Sequence, residues 1–309
     1  MKKFLSKIFV FFAIIGIVFV SGLFLPATPK AKNYVLFYKT KKDSLLQNVP
    51  SPRIIFIGGS NLVYGLNSQL FKDSLSLNSI NTGSTATVGL SYMMDNTLPY
   101  IRSGDIVVIA GEYQQFFRSF ASGSQGLLRL LMEVDPSGFK TLKMQQWINI
   151  TKKLPEYFVS KIDPNEYFGV KINPAYTTAI FNEYGDSNAH WVLKKQGFDP
   201  DDFNNRKLNR AIFAEMKIFE KELITREAHL FVSYPCFQAK SFDLNETGID
   251  LVEKTLIENN FDLLGTAERY KMNDSLMFDT PYHLIKTGVD LRTELLIEDI
   301  KESGILSRN

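Results

Sequence analysis

The first strong pattern along the chain is a long apolar stretch near the N-terminus. Residues 8–26 contain no charged side chain and are about as long as a helix that crosses a bilayer. Lys2, Lys3 and Lys7 precede this stretch, and such positive charges mark the cytoplasmic side of a membrane helix. We therefore expect residues 1–29 to form a cytoplasmic tip and an uncleaved signal anchor. A cleaved signal peptide is the alternative, and both send the rest of the chain out of the cytoplasm.

Beyond residue 52, short apolar runs alternate with longer amphipathic stretches. Runs that are apolar throughout are typical of buried parallel strands, and their alternation with helices predicts an α/β sheet. We expect a three-layer α/β/α domain, flavodoxin-like and with a mainly parallel central sheet, over residues 52–309. An irregular, lysine-rich spacer at 30–51 precedes it, and residues 136–205, which show no clean period, form an insertion or lid. The predicted strands are 54–57, 77–81, 105–110 and 229–233, and the predicted helices are 66–75, 90–101, 114–134, 209–225, 249–259 and 285–300.

Composition and charge narrow the classes of function. The chain has 35 Lys and Arg against 33 Asp and Glu, but residues 1–42 hold eight lysines and no acidic residue. The remaining 27 basic and 33 acidic residues give the body a net charge of −6, which argues against a nucleic-acid partner. The single cysteine, Cys236, excludes an internal disulfide and lies in an apolar run typical of a buried, inert thiol. No metal-ligand spacing is present in the sequence, so we expect neither a metal nor a cofactor.

A glycine pair ends the first predicted strand and introduces the first candidate for chemistry. Gly58 and Gly59 precede Ser60 and Asn61 there. Glycines permit a sharp turn from strand to helix, which exposes a serine hydroxyl beside backbone N–H groups that stabilise an oxyanion. The alternative is a phosphate-binding turn, although neither G-x-G-x-x-G nor G-x-x-x-x-G-K-[ST] is present at this place. Ser60 is therefore the candidate nucleophile.

The second candidate group lies on the loop before the last predicted helix. Asp279 and His283 are close enough in sequence for the carboxylate to hold one ring nitrogen while the other acts as a general base. The chain has three histidines. His190 lies in the insertion and His229 precedes a strand, so surface or core positions are the simpler interpretation for both. His283 is the candidate base, and a surface histidine is the alternative.

Together, these segments resemble the SGNH (GDSL-like) hydrolase superfamily over about residues 53–300, with the insertion left uncovered. The resemblance implies a three-layer α/β/α fold with a Ser-His-Asp triad of Ser60, His283 and Asp279. It also implies an oxyanion hole that contains the N–H groups of Ser60 and Gly83. The matching motifs, in chain order, are Gly58-Gly59-Ser60-Asn61, Asn81-Thr82-Gly83, and Asp279 with His283.

The sequence departs from the family's pattern in two places. Three residues separate Asp279 from His283, whereas the family has two. The family's third block, G-x-N-D, supplies an asparagine amide to the oxyanion hole, but the equivalent segment here begins Gly111-Glu112-Tyr113-Gln114. A glutamate carboxylate cannot donate a hydrogen bond, and its charge opposes an oxyanion. Tyr113 and Gln114 are therefore the candidate replacements, with simple packing of this segment as the alternative.

The anchor and the altered third block are similar to those of membrane-anchored SGNH-like proteins of cell-envelope polymer acylation, such as alginate O-acetyltransferases and the teichoic-acid D-alanylation protein. This resemblance implies an acyl-enzyme on Ser60 and a multispanning membrane-bound O-acyltransferase as partner. We expect an extracytoplasmic serine esterase or O-acyltransferase that acts on a carbohydrate polymer or an acyl ester. The alternative is a non-catalytic envelope protein that binds a glycan or a partner acyltransferase.

Aromatic side chains are frequent in the insertion. A site that transfers an acyl group to a sugar has to exclude water and fit a carbohydrate, and aromatic rings suit both needs. Packing within the insertion is an equally good explanation for these side chains. The residues are Tyr157, Phe158, Tyr167, Phe168, Tyr176 and Trp191.

Overall fold

The computed structural model describes residues 1–307 and confirms a mixed α/β fold with a mainly parallel central sheet. The strands are β1 (Arg53–Gly58), β2 (Asn78–Asn81), β3 (Ile106–Ala110), β4 (His229–Ser233), β5 (Phe237–Gln238), β6 (Leu263–Leu264) and β7 (Lys271–Met272). The α-helices are α1 (Lys2–Leu23), α2 (Pro29–Lys32), α3 (Lys39–Asn48), α4 (Ser60–Val63), α5 (Ser68–Leu75), α6 (Leu90–Thr97), α7 (Gln125–Glu133), α8 (Met144–Thr151), α9 (Leu154–Ile162), α10 (Arg210–Thr225), α11 (Ala239–Glu258) and α12 (Lys286–Glu302).

Short 3₁₀ helices join these elements. They lie at Val35–Tyr38, Ala86–Val88, Leu98–Tyr100, Tyr113–Phe116, Phe120–Ser122, Pro136–Thr141, Pro164–Glu166, Pro174–Tyr176, Thr178–Ile180, Ala189–Val192, Glu268–Tyr270, Asp274–Leu276 and Ile305–Ser307. Thirteen of the 29 residues from 164 to 192 lie in such turns, which is why this segment shows no helical or strand period in the sequence.

The central sheet determines where the carboxyl ends of the strands meet. Within residues 1–307 it has the strand order β2-β1-β3-β4-β6, and each neighbouring pair is parallel. β5 and β7 form a separate parallel pair. Every residue of β1 and β3 is buried, which accounts for their continuous apolar runs. Their register pairs Gly58 with Ala110, so the turns after the two strands lie side by side.

Most predicted elements are present, but the helix predicted over 114–134 is wrong. Only its second half, α7, is α-helical; two 3₁₀ turns precede it. The backbone turns at Arg118 and Gly123, which have φ angles of 49° and 76°. Phe117 pairs with Leu208 as an isolated bridge, so tertiary pairing overrides local helix propensity here.

The prediction of an irregular spacer at 30–51 is also wrong for most of that segment. It contains α2, a 3₁₀ helix and α3. Lys42 and Leu46 of α3 are buried against the domain. The lysine-rich composition suggested a solvated segment. The Lys42 side chain is instead buried, whereas that of the adjacent Lys41 is exposed to solvent.

Helix α1 is, among the described residues, the one helix long and apolar enough to cross a membrane. Its side chains are almost all exposed, unlike those of a core helix in a soluble domain. Its C-terminal part packs against the domain, where the Phe19 ring lies 5.0 Å from the ring of Phe158 on α9. The Phe158 ring also occupies the space that a side chain at Gly22 would need. An apolar helix therefore leaves the domain next to α9.

The segment at 136–205 is bound tightly to the sheet edge. The buried carboxylate of Asp186 accepts hydrogen bonds from the Ser68 N–H at 2.7 Å and from the Asn81 amide at 2.8 Å. The Tyr184 carbonyl accepts the backbone N–H of Asn81 at 2.9 Å, beside the end of β2. These buried contacts make the end of the insertion part of the site's framework.

A buried ion pair holds the opposite end of the sheet together. Arg53 and Asp105 are both fully buried, and Arg53 Nε donates to Asp105 Oδ1 at 2.8 Å. The same guanidinium donates to the carbonyl oxygens of Leu46 at 2.6 Å and Tyr100 at 2.8 Å. One side chain thus connects the start of β1 with α3 and with the residues that lead into β3.

We predict that Arg53→Met lowers the free energy of unfolding by about 3–5 kcal/mol, because it leaves the Asp105 carboxylate buried without its partner. Unfolding of the full chain by urea in detergent micelles measures this change. The control is Lys254→Met, which breaks an exposed pair with Glu258 whose side chains are 73% and 55% exposed. We expect the control to change stability by less than about 1 kcal/mol. Equal losses in the two variants would contradict the prediction.

Candidate active site

Three side chains lie in hydrogen-bonded order at the carboxyl edge of the sheet. Ser60 follows β1 directly, and its Oγ lies 2.8 Å from Nε2 of His283, a residue 223 positions away in sequence. The other ring nitrogen, Nδ1, lies 2.8 Å from Oδ1 of Asp279. The structure thus brings together the three residues predicted as nucleophile, base and orienting acid. These distances are those that proton transfer by a general base requires.

The loop from Met277 to Leu284 accommodates the extra residue between Asp279 and His283. Met277 and Leu284 form an antiparallel bridge, and the N–H of Phe278 donates to the carbonyl of His283 at 2.8 Å. The loop is therefore closed at its base. Asp279 and His283 face each other across that base, while the three intervening residues form the turn beyond it.

Two tyrosines hold the imidazole and the carboxylate in place. The ring of Tyr64 stacks on His283 with centroids 4.1 Å apart, and the Tyr64 hydroxyl donates to the Ala175 carbonyl at 2.8 Å. The Tyr176 hydroxyl donates to Asp279 Oδ2 at 2.7 Å. Tyr176 comes from the insertion, where the sequence identified it only as one aromatic among six.

The environment of Asp279 favours its ionised form. Burial alone would raise the pKa of this carboxyl, but the hydrogen bond and charge of His283 and the Tyr176 hydroxyl outweigh burial and lower the pKa below its usual value. The carboxylate therefore stays charged at neutral pH and accepts the Nδ1–H of His283. That tautomer leaves Nε2 free to accept the hydrogen of Ser60.

Glu112 lies on the other side of the serine. Its Oε1 is 2.9 Å from Ser60 Oγ and accepts the backbone N–H of Asn61 at 3.2 Å. Gly59 permits this approach, because a side chain there would overlap the glutamate carboxyl. Burial raises the pKa of Glu112, although His283 and the hydrogen bonds from Ser60 and Asn61 act in the opposite direction. The sequence places Glu112 in the segment equivalent to the G-x-N-D block, but its contact with the Ser60 hydroxyl was not predicted.

The predicted oxyanion donors are only partly where they were expected. The N–H of Gly83 donates to Asn81 Oδ1 at 2.9 Å, so this donor is already engaged. Tyr113 and Gln114, the expected replacements for the family's asparagine, point elsewhere. Tyr113 lies in the core with its ring 5.3 Å from that of Phe237, and the Gln114 amide donates to Asp201. Glu112 occupies the place beside Ser60 instead.

Helix α4, which follows Ser60, is a single turn of four residues. The longer helix that was predicted over 66–75 is α5. The N–H groups near Ser60 act as individual hydrogen-bond donors, as the contact from Asn61 to Glu112 shows.

The remaining candidates for chemistry have structural partners. His190 is buried, where Nε2 donates to the Leu284 carbonyl at 2.9 Å and Nδ1 accepts the Ser187 hydroxyl at 2.8 Å. Burial lowers the pKa of His190 to about 4, so it stays neutral and supports the loop that carries His283. Cys236 is buried as predicted, and burial raises the pKa of its thiol to about 12. Residues 1–307 contain no group of three or more His, Cys, Asp and Glu side chains arranged to hold a metal ion.

A cavity of about 100 Å³ opens beside Ser60 and His283. Its wall is mostly apolar and aromatic and comes from α3, α4, α6, the segment after β2 and the insertion. Representative residues are Leu46, Val63, Val88, Tyr92, Met93 and Phe181. Of the six aromatic residues named for the insertion, Tyr176 alone contributes to this wall.

Lys42 places an amine in the cavity wall. Its Nζ donates to the Gly83 carbonyl oxygen and lies 4.6 Å from the centre of the Phe181 ring. Burial lowers the pKa of this amine to about 7, against the opposing influence of Asp186. No sequence pattern marks this residue, because it is one of several lysines in a segment that was predicted to be an irregular spacer.

Comparisons with known proteins do not identify the site. No protein-family model matches the chain, and no curated protein is significantly similar to it. The chemistry therefore has to be inferred from the geometry of the site.

We predict that Lys42 makes stability rise with pH between about pH 7 and 9. An unfolded lysine has a pKa of about 10.4, so in this range the unfolded state binds more protons than the folded state, and raising the pH favours folding by up to about 1.4 kcal/mol per unit. Below about pH 7, both states are protonated and this dependence ends. Urea unfolding of the wild type and Lys42→Met across this range measures the difference.

The wild type should gain stability relative to Lys42→Met as the pH rises. Lys41→Met, a change at the exposed neighbouring residue, is the matched control and should leave the pH dependence unchanged. A constant difference between the wild type and Lys42→Met would show that the buried amine does not titrate as expected.

Proposed function

We propose that this protein is a serine-dependent esterase or O-acyltransferase with the three-layer fold of the SGNH hydrolases. The observation that carries the proposal is the pair of hydrogen bonds that His283 makes at the carboxyl edge of a parallel sheet. Its Nε2 lies 2.8 Å from Ser60 Oγ, and its Nδ1 lies 2.8 Å from Asp279 Oδ1. In open α/β sheets this edge is the common location of ligand sites. The order of the three short motifs along the sequence supports the same class of enzyme.

The geometry supports an acyl-enzyme mechanism. His283 Nε2 takes the proton of Ser60 as Oγ bonds to the acyl carbon, and the carbonyl electrons move onto oxygen. Collapse of this intermediate breaks the bond to the leaving alcohol, which receives the proton from Nε2. Water or an acceptor hydroxyl then gives its proton to His283 and attacks the acyl carbon. Collapse of this second intermediate breaks the bond to Ser60 Oγ, which takes the proton back from Nε2, and the acid or the new ester leaves. Asp279 stabilises the imidazolium in both stages, and general-base action of this kind contributes roughly 10²–10⁴-fold to the rate.

The cavity beside Ser60 favours a short acyl group. An engineered cavity of about 150 Å³ in another protein holds one benzene molecule, so about 100 Å³ suits a group of roughly four heavy atoms. Acetyl and propionyl groups, with three and four heavy atoms, meet this limit. The apolar wall suits their methyl and methylene groups, and the Lys42 amine lies close by.

The proposed location is the outer face of a cytoplasmic membrane. Helix α1 is long and apolar enough to span a bilayer, and its three preceding lysines favour a cytoplasmic N-terminus. The domain then lies outside the cytoplasm, where the acceptor is a carbohydrate polymer of the cell envelope or water. A multispanning membrane-bound O-acyltransferase is the proposed source of the acyl group.

A second candidate function is a non-catalytic envelope protein that binds a glycan or a partner acyltransferase. Two observations favour it: a carboxyl group lies beside Ser60, and the Gly83 N–H is engaged by Asn81. An ionised Glu112 in this place would oppose an oxyanion.

We predict that a fluorophosphonate probe labels the wild type and that Ser60→Ala abolishes the labelling. Asp279→Asn should slow labelling by a factor on the order of 10³ or more, because it removes the acceptor that fixes the tautomer of His283. Ser84→Ala, at another serine in the cavity wall, is the matched control and should label normally. An unlabelled wild type would favour the non-catalytic alternative.

We also predict a preference for short acyl chains. The kcat/KM for p-nitrophenyl propionate should exceed that for the octanoate by at least about tenfold, because one methylene beyond the available space reduces transition-state binding by roughly 10-fold or more. Val88→Ala removes two carbon atoms from the cavity wall and should shift the preference towards longer chains. Equal rates along the ester series in both proteins would exclude this cavity as the acyl site.

A further inference from the structure

We propose that Glu112 takes part in the reaction as a neutral carboxylic acid, which donates a hydrogen bond at the oxyanion position and inactivates the site when it loses its proton. This inference rests on the proposed acyl-transfer function and assigns a role to the residue that replaces the family's asparagine. The observation behind it is that Ser60 Oγ contacts two groups, His283 Nε2 at 2.8 Å and Glu112 Oε1 at 2.9 Å.

The number of hydrogen atoms available at these two contacts determines which group donates in each of them. Ser60 Oγ carries one hydrogen. When the Nδ1–H of His283 donates a hydrogen bond to Asp279, the neutral ring has Nε2 free as an acceptor. The hydroxyl hydrogen of Ser60 then points to Nε2. The contact between Oγ and Glu112 Oε1 then needs a hydrogen from the carboxyl group. A neutral Glu112 supplies that hydrogen, and its oxygen still accepts the N–H of Asn61.

An ionised Glu112 produces the opposite arrangement. The carboxylate can only accept, so it attracts the serine hydrogen away from His283. Nε2 then makes a favourable contact with the serine oxygen only if the ring is an imidazolium, which is unable to act as a base. The negative charge also lies next to the position where the oxyanion forms. The site is therefore active when Glu112 is protonated and inactive when Glu112 is ionised.

The surroundings of Glu112 favour the neutral acid. The residue is 6% exposed, and burial raises its pKa. Its backbone N–H bonds to Gln115 on its own segment, at 3.0 Å. Among the titratable groups of neighbouring elements, His283 and Tyr282 come from the loop before α12 and Cys236 from the segment after β4. The positive charge of Arg292 on α12 lowers the pKa of the same Cys236 thiol, against the effect of burial.

Of these neighbours, His283 is the one that Ser60 connects directly to Glu112. Burial raises the pKa values of Tyr282 and Cys236, so both remain neutral. Ser60 therefore links the proton on Glu112 to the hydrogen bond that His283 accepts.

The acid acts without being consumed. As Ser60 Oγ bonds to the acyl carbon, its proton moves to His283 Nε2 and the carbonyl electrons move to oxygen. That oxygen and Oγ are attached to the same carbon, so a donor already 2.9 Å from Oγ needs only a small rotation to reach it. The Glu112 O–H bond remains intact, and the donor returns to Oγ when the intermediate collapses. With the Gly83 N–H engaged, Glu112 supplies the missing donor.

The test is the pH dependence of kcat/KM for p-nitrophenyl acetate, measured for the full chain in detergent. We expect the wild type to lose activity at alkaline pH as Glu112 loses its proton. Glu112→Gln replaces the acid with an amide donor that does not titrate. It should keep activity within about tenfold of the wild-type optimum and lose the alkaline decline. Glu112→Ala lacks a donor and should lose about 10²–10³-fold.

Glu258→Gln, a matched change at an exposed position on α11, is the control and should keep the wild-type profile. The inference is overturned if the alkaline decline persists in Glu112→Gln, or if that variant is as inactive as Glu112→Ala. Infrared difference spectra provide a readout that is independent of turnover. The carbonyl band of a protonated carboxylic acid should be present in the wild type at about pH 7 and absent from Glu112→Gln; its absence from both proteins would also overturn the inference.

Fluorophosphonate labelling distinguishes this failure from failure of the proposed function. An unlabelled wild type would contradict both the proposed acyl transfer and the role of Glu112. A wild type that is labelled at Ser60, combined with an inactive Glu112→Gln, would leave acyl transfer standing and reject only the neutral acid.

Discussion

The parallel pairing of β1 with β3 is the constraint on which the rest of the site depends. Its register sets Gly58 opposite Ala110, so the two following turns carry Ser60 and Glu112 to the same edge of the sheet. A slip of one residue would turn each side chain to the other face of the sheet, and the two groups would no longer meet. At the opposite end of the strands, the buried pair of Arg53 and Asp105 stabilises the same register.

Segments distant in sequence complete the site around this pair of strands. The closed loop before α12 holds His283 against Ser60, while His190 supports the base of that loop from within the insertion. Tyr176, also from the insertion, orients Asp279. Helix α3 adds the wall that contains Lys42. The segments with the weakest sequence patterns therefore supply much of the surroundings of the catalytic candidates, because each is ordered by buried polar contacts.

Burial changes the chemistry of several groups in this small volume. It lowers the pKa of the Lys42 amine and raises that of the Glu112 carboxyl, so both are driven towards their neutral forms. Asp279 stays ionised because His283 and Tyr176 donate to it. One carboxylate is thus stabilised by its hydrogen-bond donors, while a second carboxyl nearby lies where a neutral acid is favoured. This contrast is the physical basis for assigning different roles to the two acids.

The sequence by itself determined the alternation of buried strands and helices, the apolar N-terminal helix, and the residues predicted to meet at the sheet edge. Continuous apolar runs and glycine turns are local signals, and parallel strands necessarily bring their carboxyl ends together. Only the tertiary structure decided that Glu112, Lys42 and Tyr176 surround Ser60, that the Gly83 N–H bonds to Asn81, and that residues 30–51 are mostly helical. These features depend on long-range packing and on the desolvation of charged groups. A lysine or glutamate has the same letter in the sequence whether it faces water or a buried cavity.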